Sequence, residues 1–403
     1  MAIPQAAHAY TEKTLYSFCS DGKSCKDGWR PGGVVMDSSG NLFGVTFSGG
    51  KHVAGVVFEF EPGTGQYTVL HDFCSKTGCK DGANPNQMNL VIDVDGNLYG
   101  TTTRGGNKTD AGVVFELVRT EAGWHHVTLH SFCSQTNCTD GAEPLTGLTY
   151  AGAAAGQLYD GVSPLYGTTN SGGSGEEGTG GTVFSITPKS GSKQWSEQVL
   201  YSFCTQPHCA DGVNPLVPLY IDTQGNIYGT TPLGGQNGEG GVVFELSPSG
   251  STYTESVLYS FCSEKNCADG NGPTGVIEDS QGNLYGTAGV GPNNDGLIFK
   301  LSLNGTQWEF TDLADFDGKN GAQPDGTLIM DASGNLFGTT YKGGTKGTGT
   351  VFEFNGSIQT LYNFCKTCVG PTTGVIEDSA ANLYGVSGSL GEMHQGTLYE
   401  LSP

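Results

Sequence analysis

One phrase, Leu-Tyr-Ser-Phe-Cys, recurs along the chain and constrains the fold more than any other feature. Seven copies align on a phenylalanine and lie 48 to 71 residues apart. Each copy leads into Asp-Gly, a proline, an apolar run, Asp-x-x-Gly-Asn, Leu-Tyr-Gly-Thr-Thr, Gly-Gly and Val-Phe-Glu-Leu, with local variation. A period of this length indicates a repeat architecture in which each unit packs on its neighbours. The seven anchors are Phe18, Phe73, Phe132, Phe203, Phe261, Phe316 and Phe364.

Each repeat is predicted to contain four short strands. In the second repeat these are the apolar run at residues 90–93, the stretches 97–102 and 112–117, and an outer segment that ends at Phe132. Glycine accounts for 66 of the 403 residues, and its placement between apolar runs favours tight turns over helices. Four antiparallel strands per repeat are typical of β-propeller blades. The sequence therefore predicts an all-β propeller of seven four-stranded blades.

The two ends of the sequence are expected to share one blade. After Phe364 only three strand patterns remain, and the missing fourth pattern stands at residues 13–18. An N-terminal strand that completes the last blade closes the ring and removes exposed sheet edges. We therefore predict a propeller over residues 11–403, preceded at residues 1–10 by an arm or the remnant of a secretion signal.

Charge and hydropathy exclude two classes of partner. The formal net charge is −22, which repels phosphate backbones, so nucleic acid is not expected as a partner. No apolar run approaches the ~20 residues that a membrane helix needs, so membrane insertion is not expected either.

Twelve cysteines fall into close pairs, one pair in nearly every repeat. Local pairs at fixed places in a repeat favour small disulfide-closed loops and an oxidising, extracellular compartment. A zinc site would need two such pairs to converge on one ion, yet these pairs sit in separate repeats. The predicted disulfides are Cys19–Cys25, Cys74–Cys79, Cys133–Cys138, Cys204–Cys209, Cys262–Cys267 and Cys365–Cys368.

Residues that break the repeat mark the candidate site. In a propeller the loops that hold the cysteine pairs share one face with the loops between the second and third strands. Trp29, Arg30, Lys51 and Arg104 fall on that face in the first two blades, and we predict that they bind a ligand such as a carboxylated glycan. The alternative is catalysis by a polysaccharide lyase or hydrolase. Its candidate residues are His52, Glu392 and His394.

Calcium is the one cofactor that the sequence suggests, and no motif requires any other. Carboxylates in the loops of blades three to five offer the oxygen ligands that calcium prefers. Surplus carboxylates of an acidic protein also accumulate in solvated loops, so both interpretations stay open. The candidate ligands are Glu176, Glu177, Glu239 and Asp295.

The phrases Gly-Asn-Ile-Tyr-Gly-Thr-Thr at residues 225–231, Gly-Gly at 234–235 and Gly-Val-Val-Phe-Glu-Leu at 241–246 carry a family resemblance. They resemble the GloVer tandem repeat of "choice-of-anchor" extracellular bacterial proteins. The resemblance implies a secreted or surface-displayed repeat protein and brings no established chemistry. It also implies a separate C-terminal anchor, and this sequence ends with its last strand.

Three functional hypotheses follow. The first is an extracellular structural or interaction protein that binds a partner protein or itself, with residues 1–9 adding as a strand to a neighbouring molecule. The second is a glycan-binding propeller that uses the residues around Arg30. The third is the polysaccharide lyase or hydrolase. We expect a non-catalytic protein, because no acid–base constellation recurs with a recognisable spacing.

Overall fold

The computed structural model describes residues 10–20, 24–85, 89–175, 178–189, 191–192, 194–238, 240–365, 370–388 and 396–403. Within these ranges the chain forms seven antiparallel sheets, which are the seven blades of a propeller ring. The described helical segments with printed bounds are single 3₁₀ turns at Thr136–Cys138, Ala153–Ala155, Pro207–Cys209 and Lys265–Cys267. No helix in these ranges has the length and hydrophobicity needed to cross a membrane.

The strands follow the predicted order. The N-terminal strand and the first three blades comprise β1 (Thr11–Ser17), β2 (Trp29–Met36), β3 (Leu42–Ser48), β4 (Val56–Glu61), β5 (Gln66–Asp72), β6 (Ala83–Pro85), β7 (Val91–Ile92), β8 (Leu98–Arg104), β9 (Val113–Thr120), β10 (Gly123–Ser131), β11 (Leu165–Thr169), β12 (Thr182–Pro188) and β13 (Trp195–Ser202). Blades four and five comprise β14 (Tyr220–Ile221), β15 (Ile227–Thr231), β16 (Val242–Ser249), β17 (Thr252–Ser260), β18 (Asn271–Glu278), β19 (Leu284–Val290), β20 (Leu297–Asn304) and β21 (Gln307–Asp315). Blades six and seven comprise β22 (Ala322–Met330), β23 (Leu336–Lys342), β24 (Thr350–Phe354), β25 (Ile358–Asn363), β26 (Ile376–Glu377), β27 (Leu383–Ser387) and β28 (Thr397–Ser402).

Blade three departs most from the regular pattern. Its sheet contains β11, β12 and β13. The innermost position is held by two isolated bridges, Ala142 with Ser171 and Thr149 with Tyr166. This blade also has an insertion at residues 151–164, which replaces the short Asp-x-x-Gly-Asn turn of the other blades.

Ring closure by the N-terminal strand is confirmed. Strand β1 pairs antiparallel with β28, from Thr11 opposite Ser402 to Ser17 opposite Thr397. The backbone N–H of Phe18 then donates to the carbonyl of Gly396 at 3.0 Å. The last blade therefore has the order β1-β28-β27-β26, and no blade lacks an outer strand.

The repeated aromatic residues join each blade to the next. Each anchor phenylalanine at the end of an outer strand meets the aromatic ring on the third strand of the following blade in an edge-to-face contact. The centroid separation is 5.2 Å for Phe18 and Phe58 at one interface and 5.3 Å for Phe364 and Tyr399 at another. Such pairs add about 0.5–1.5 kcal/mol beyond their buried area. These residues therefore pack blade against blade.

A contact between neighbouring blades recurs at the blade boundaries and was not predicted from the sequence. We call it the blade lock. Asn84 adopts a left-handed conformation (φ 52°) and donates its N–H to the carbonyl of Ala54 in the preceding blade at 2.7 Å. The following proline, Pro85, lies so close to Gly55 that a Cβ there would come within 2.6 Å of the proline Cδ. Equivalent Gly–Pro contacts recur at other interfaces, and they hold the start of each innermost strand in place.

Candidate functional site

A cavity surrounded by all seven blades opens at one end of the central channel, on the face where the innermost strands begin. Its volume is about 460 Å³, which lies within the usual range for small-molecule pockets. We call it the channel mouth. It is lined by Arg30, Phe47, Thr103, Leu145, Leu216, Val217, Pro232, Gly272, Pro273, Thr274, Asp325 and Thr372.

The proline of the blade lock determines which side chains enter the mouth. In blades three to seven the residue directly after the proline near the start of the innermost strand lines the cavity: Leu145, Leu216, Thr274, Asp325 and Thr372. Because proline fixes its own φ and packs on the preceding blade, each of these residues is presented at an equivalent place. None of these five residues was predicted from the sequence. The sequence feature that could have identified them is a nearly constant proline followed by a residue that differs from blade to blade.

Arg30 stands in the first blade where asparagines stand in the second and fourth. The amides of Asn84 and Asn214 donate to carbonyls of the preceding blades, Phe47 at 2.9 Å and Asn170 at 2.7 Å. The guanidinium of Arg30 instead lies over the ring of Phe47, with its Cζ 4.6 Å from the centroid. Arg30 is exposed, and no described carboxylate lies within ion-pair distance of it. Among the described residues that line the mouth, Arg30 is the one cation, and no described carboxylate pairs with it.

Asp325 supplies the carboxylate of the mouth. Burial raises the pKa of Asp325, and a hydrogen bond from the N–H of Gly326 to Oδ1 at 2.9 Å opposes that rise. In blade seven, between Asp325 and Arg30 around the ring, the buried hydroxyl of Thr372 has no hydrogen-bond partner among the described residues. This side of the mouth thus offers a carboxylate, a hydroxyl and a guanidinium in succession.

One side of the mouth is apolar. Blades three and four contribute Leu145, Leu216, Val217 and Pro232. In a ring of seven blades, the fourth and fifth blades lie across the channel from the first, which carries Arg30, and blade five adds Thr274. The mouth is therefore two-sided, with a polar arc on blades five, six, seven, one and two and an apolar arc on blades three and four.

A second cavity lies below the mouth. Its volume is about 320 Å³, and its walls include Leu148, Leu328 and Val375. Ala153, from the 3₁₀ turn of the blade-three insertion, also lines it, while Ala154 lines a cavity on the far face of the ring. The insertion therefore reaches the lower end of the channel and forms part of its wall.

Tyr159 anchors that insertion to blade two. It is fully buried, and it forms a parallel bridge with Asp93 in which the N–H of Val94 donates to its carbonyl at 2.9 Å. Its ring meets that of Tyr99 edge-to-face at 5.3 Å. These contacts hold the segment across the boundary between blades two and three.

The structure places the predicted binding residues in different environments. Arg30 lines the mouth, and Trp29 lies beside it on β2. Lys51 pairs with Asp72 of its own blade (Nζ–Oδ2 3.0 Å), and Arg104 pairs with Asp110 (Nη1–Oδ2 3.3 Å). These two charges are thus partly neutralised within their own loops. His52 is exposed in the loop between β3 and β4 and does not line the mouth.

Several predicted residues lie outside the described residues. They are residues 1–9, Glu176, Glu177, Glu239, Cys368, Glu392 and His394. Of the calcium candidates only Asp295 is described, and its backbone carbonyl accepts the N–H of Gln323 at 2.7 Å. Within the described ranges no group of three His, Cys, Asp or Glu side chains is placed to hold a metal ion. Calcium binding and self-assembly through the arm stay predictions.

Five of the predicted disulfides are confirmed. The sixth includes Cys368, which lies outside the described residues. They close loops that wrap around a buried aspartate, as Asp81 shows by accepting the N–H and Oγ–H of Ser75 and the N–H of Lys76. Burial favours a higher pKa for Asp81, but hydrogen bonds from His71, Ser75 and Lys76 outweigh it and leave the pKa lowered. The five disulfides indicate an oxidising environment.

The Asp-x-x-Gly-Asn segments are structural turns. Asp93 accepts the N–H groups of Asp95 and Asn97 at Oδ1, and the Asn97 amide and the Tyr99 hydroxyl at Oδ2. Hydrogen-bond donors thus surround the carboxylate of Asp93.

Comparison with known proteins agrees with the repeat. The family model of the Gloeobacter/Verrucomicrobia repeat matches residues 6–163, 155–310 and 256–403, and so spans nearly the whole chain. No curated protein matches the sequence significantly.

The solved structures to which this chain is similar are distant in sequence. They include a luciferin-regenerating enzyme (11% identity, 98% of this chain and 95% of that chain, TM-score 0.45) and a protein of unknown function from Dyadobacter fermentans (11%, 98% and 99%, 0.47). A puromycin hydrolase has a TM-score of 0.55 at 10% identity, over 93% of this chain and 53% of that one. At these identities the likeness concerns the fold alone.

Proposed function

This chain belongs to the family of the Gloeobacter/Verrucomicrobia repeat, and on that premise we propose that it is a secreted, non-catalytic binding protein. Its ligand is an acidic glycan that is held at the channel mouth. The disulfide-closed loops support an extracellular setting, and the cavity gives every blade a share in the site.

The observation that carries this proposal is the exposed guanidinium of Arg30, stacked on Phe47 at the mouth of a chain with net charge −22. Where 40 acidic side chains compete for 18 basic ones, a cation without a described carboxylate partner is available to an external anion. The planar guanidinium matches a carboxylate in bidentate geometry. Stacking on Phe47 orients it, which lowers the entropic cost of binding.

The mouth is less suited to catalysis. Its described lining holds one carboxylate, Asp325, and one guanidinium, Arg30, with no histidine and no second carboxylate. General acid–base catalysis of glycoside cleavage needs a pair of proton-transferring groups. The lyase or hydrolase alternative therefore depends on His52, Glu392 and His394. It predicts that His52→Ala or His394→Ala abolishes polysaccharide turnover without a change in melting temperature.

Titration calorimetry against uronic-acid oligosaccharides tests the proposal. We expect Arg30→Gln to weaken binding about tenfold or more, because it removes charge-assisted hydrogen bonds worth about 1.5–3 kcal/mol. Arg119→Gln is the matched control, since Arg119 also stacks on an aromatic ring, Trp124, but does not line the mouth. Trp29→Ala tests whether the neighbouring indole adds to the site.

Two results would contradict the proposal. One is the absence of measurable binding to any uronic-acid oligosaccharide. The other is an Arg30→Gln protein that binds as tightly as the unmodified protein.

A further inference from the structure

The two-sided lining of the channel mouth narrows the class of ligand. Resting on the glycan-binding function proposed above, we propose that the mouth selects an N-acylated acidic sugar at the end of a chain. Its carboxylate pairs with Arg30, its ring hydroxyls or amide donate to Asp325, and its acyl methyl packs on the apolar arc.

The apolar arc carries the first step. A plain uronic acid presents hydroxyls around its whole ring. With its carboxylate at Arg30, some of these hydroxyls would face Leu216, Val217 and Pro232 across the channel. Buried hydroxyls without partners cost free energy, whereas an acyl methyl gains it by leaving water. The wall opposite the cation therefore favours an apolar substituent on the sugar.

The polar arc carries the second step. Asp325 is an acceptor on the mouth lining, and its Oδ1 is shared with only one described backbone donor, the N–H of Gly326. The partnerless hydroxyl of Thr372 lies in the blade between Asp325 and Arg30. A sugar hydroxyl or an amide N–H can donate to Asp325, and a sugar hydroxyl can also accept from Thr372. A simple anion such as sulfate carries no donor for Asp325.

The lower channel carries the third step. Below the mouth the walls include Leu148, Leu328 and Val375 together with Asn89 and Thr373, and Ala153 of the anchored insertion also lines this cavity. The lower cavity is smaller than the mouth, about 320 Å³ against about 460 Å³, so we expect a polysaccharide not to continue through it. A polymer thus enters the mouth by its end, and its remaining residues stay in solvent above the ring.

Three matched monosaccharide methyl glycosides test the inference by calorimetry: 2-acetamido-2-deoxyglucuronic acid, glucuronic acid and N-acetylglucosamine. The first carries both groups, the second lacks the acyl group, and the third lacks the carboxylate. We expect the first to bind at least tenfold more tightly than either of the others. Leu216→Asn should lower the affinity for the acetamido acid to that for glucuronic acid. Asp325→Asn should weaken binding of the acetamido acid and should not strengthen binding of glucuronic acid. Melting curves verify that each variant is folded.

The outcomes separate the inference from the proposed function. Equal binding of the two acids overturns the acyl preference and leaves the glycan-binding function in place. If neither acid binds better than N-acetylglucosamine, the acidic-glycan function itself is wrong. A trisaccharide with the acetamido acid in its middle should not compete, and full competition would overturn recognition of the chain end.

Discussion

The glycine that precedes each third strand shows how one residue controls a blade boundary. Gly112 has a φ of +94°, and a Cβ on it would lie 2.2 Å from the carbonyl oxygen of Thr102 and 2.8 Å from Cδ of Pro144. Two costs would therefore combine in any substitution, the backbone strain of a left-handed residue and the clash with a proline of the next blade. That proline also places Leu145 in the channel mouth.

We expect Gly112→Ala to lower the free energy of unfolding by about 3 kcal/mol or more. Gly250→Ala is the matched control, because Gly250 has a φ of +66° with no atom within 4 Å of a built Cβ. It should cost about 1 kcal/mol, from backbone strain alone. Chemical denaturation of both variants measures the difference, and equal losses would show that the clash with Pro144 relaxes without cost.

Some residues of the site could be predicted from the sequence and others could not. Arg30 was found because arginine is rare in this chain and breaks the repeat. Asp325 and Leu216 were missed, because in the sequence they are ordinary variable residues after a proline. Only the ring closure shows that residues from distant repeats face one another across a channel. The pairing of Lys51 with Asp72 depends on side-chain geometry, which spacing along the chain does not reveal.

At the scale of elements, two outer strands each hold a carboxyl group with a buried oxygen. Glu197 on β13 and Glu255 on β17 occupy equivalent positions, and each has a buried Oε1 without a partner among the described residues. Burial and then the nearby Asp140 raise the pKa of Glu197 to about 7. Burial and then Asp211 raise the pKa of Glu255 to about 7 as well.

These carboxyl groups should make stability depend on pH. Each binds its proton more tightly in the folded chain than at the ordinary pKa of 4.5. Their contribution to stability is therefore complete below pH 4.5 and is lost as the pH rises through 7. We expect the Glu197→Gln, Glu255→Gln double variant to melt about 2 °C or more above the unmodified protein at pH 8.5, with a much smaller difference at pH 5.

The exposed Glu309 on β21 provides the control for that experiment. Glu309→Gln removes the same charge from an outer strand without a buried partnerless oxygen, so its effect should not change between the two pH values. A double variant whose advantage is the same at both pH values would contradict this explanation.

The elements themselves were the most predictable part of the structure. Strand β8 was predicted at residues 97–102 and runs over Leu98–Arg104, because apolar alternation and glycine turns fix short strands locally. The path of the blade-three insertion was not predictable. It depends on Tyr159 finding a bridge to Asp93 in another blade, and no pattern within residues 151–164 encodes that contact.

At the scale of the whole molecule, stability depends on one ladder, between β1 and β28. Removing residues 1–17 would leave β28 as an unpaired edge and take away the strand that seats Phe18 on Phe58. We expect this truncation to lower the melting temperature and to promote association through the exposed edge.

Removing only residues 1–9 is the matched control and should leave the melting temperature unchanged. Light scattering and electron microscopy of both truncated proteins also test the predicted self-assembly through the arm, which the shorter truncation should abolish. A longer truncation that melts like the unmodified protein would show that the ring does not depend on β1.

The closing ladder also has a mechanical consequence. Thr11 lies opposite Ser402 at one end of the ladder, and the pairing continues to Ser17 opposite Thr397. Tension applied between Thr11 and Ser402 would pull on the first pair alone, so the hydrogen bonds would break one after another rather than together. A propeller tethered by one end carries no load across this ladder. One stretched between both ends would unzip there first, before any disulfide-closed loop is strained.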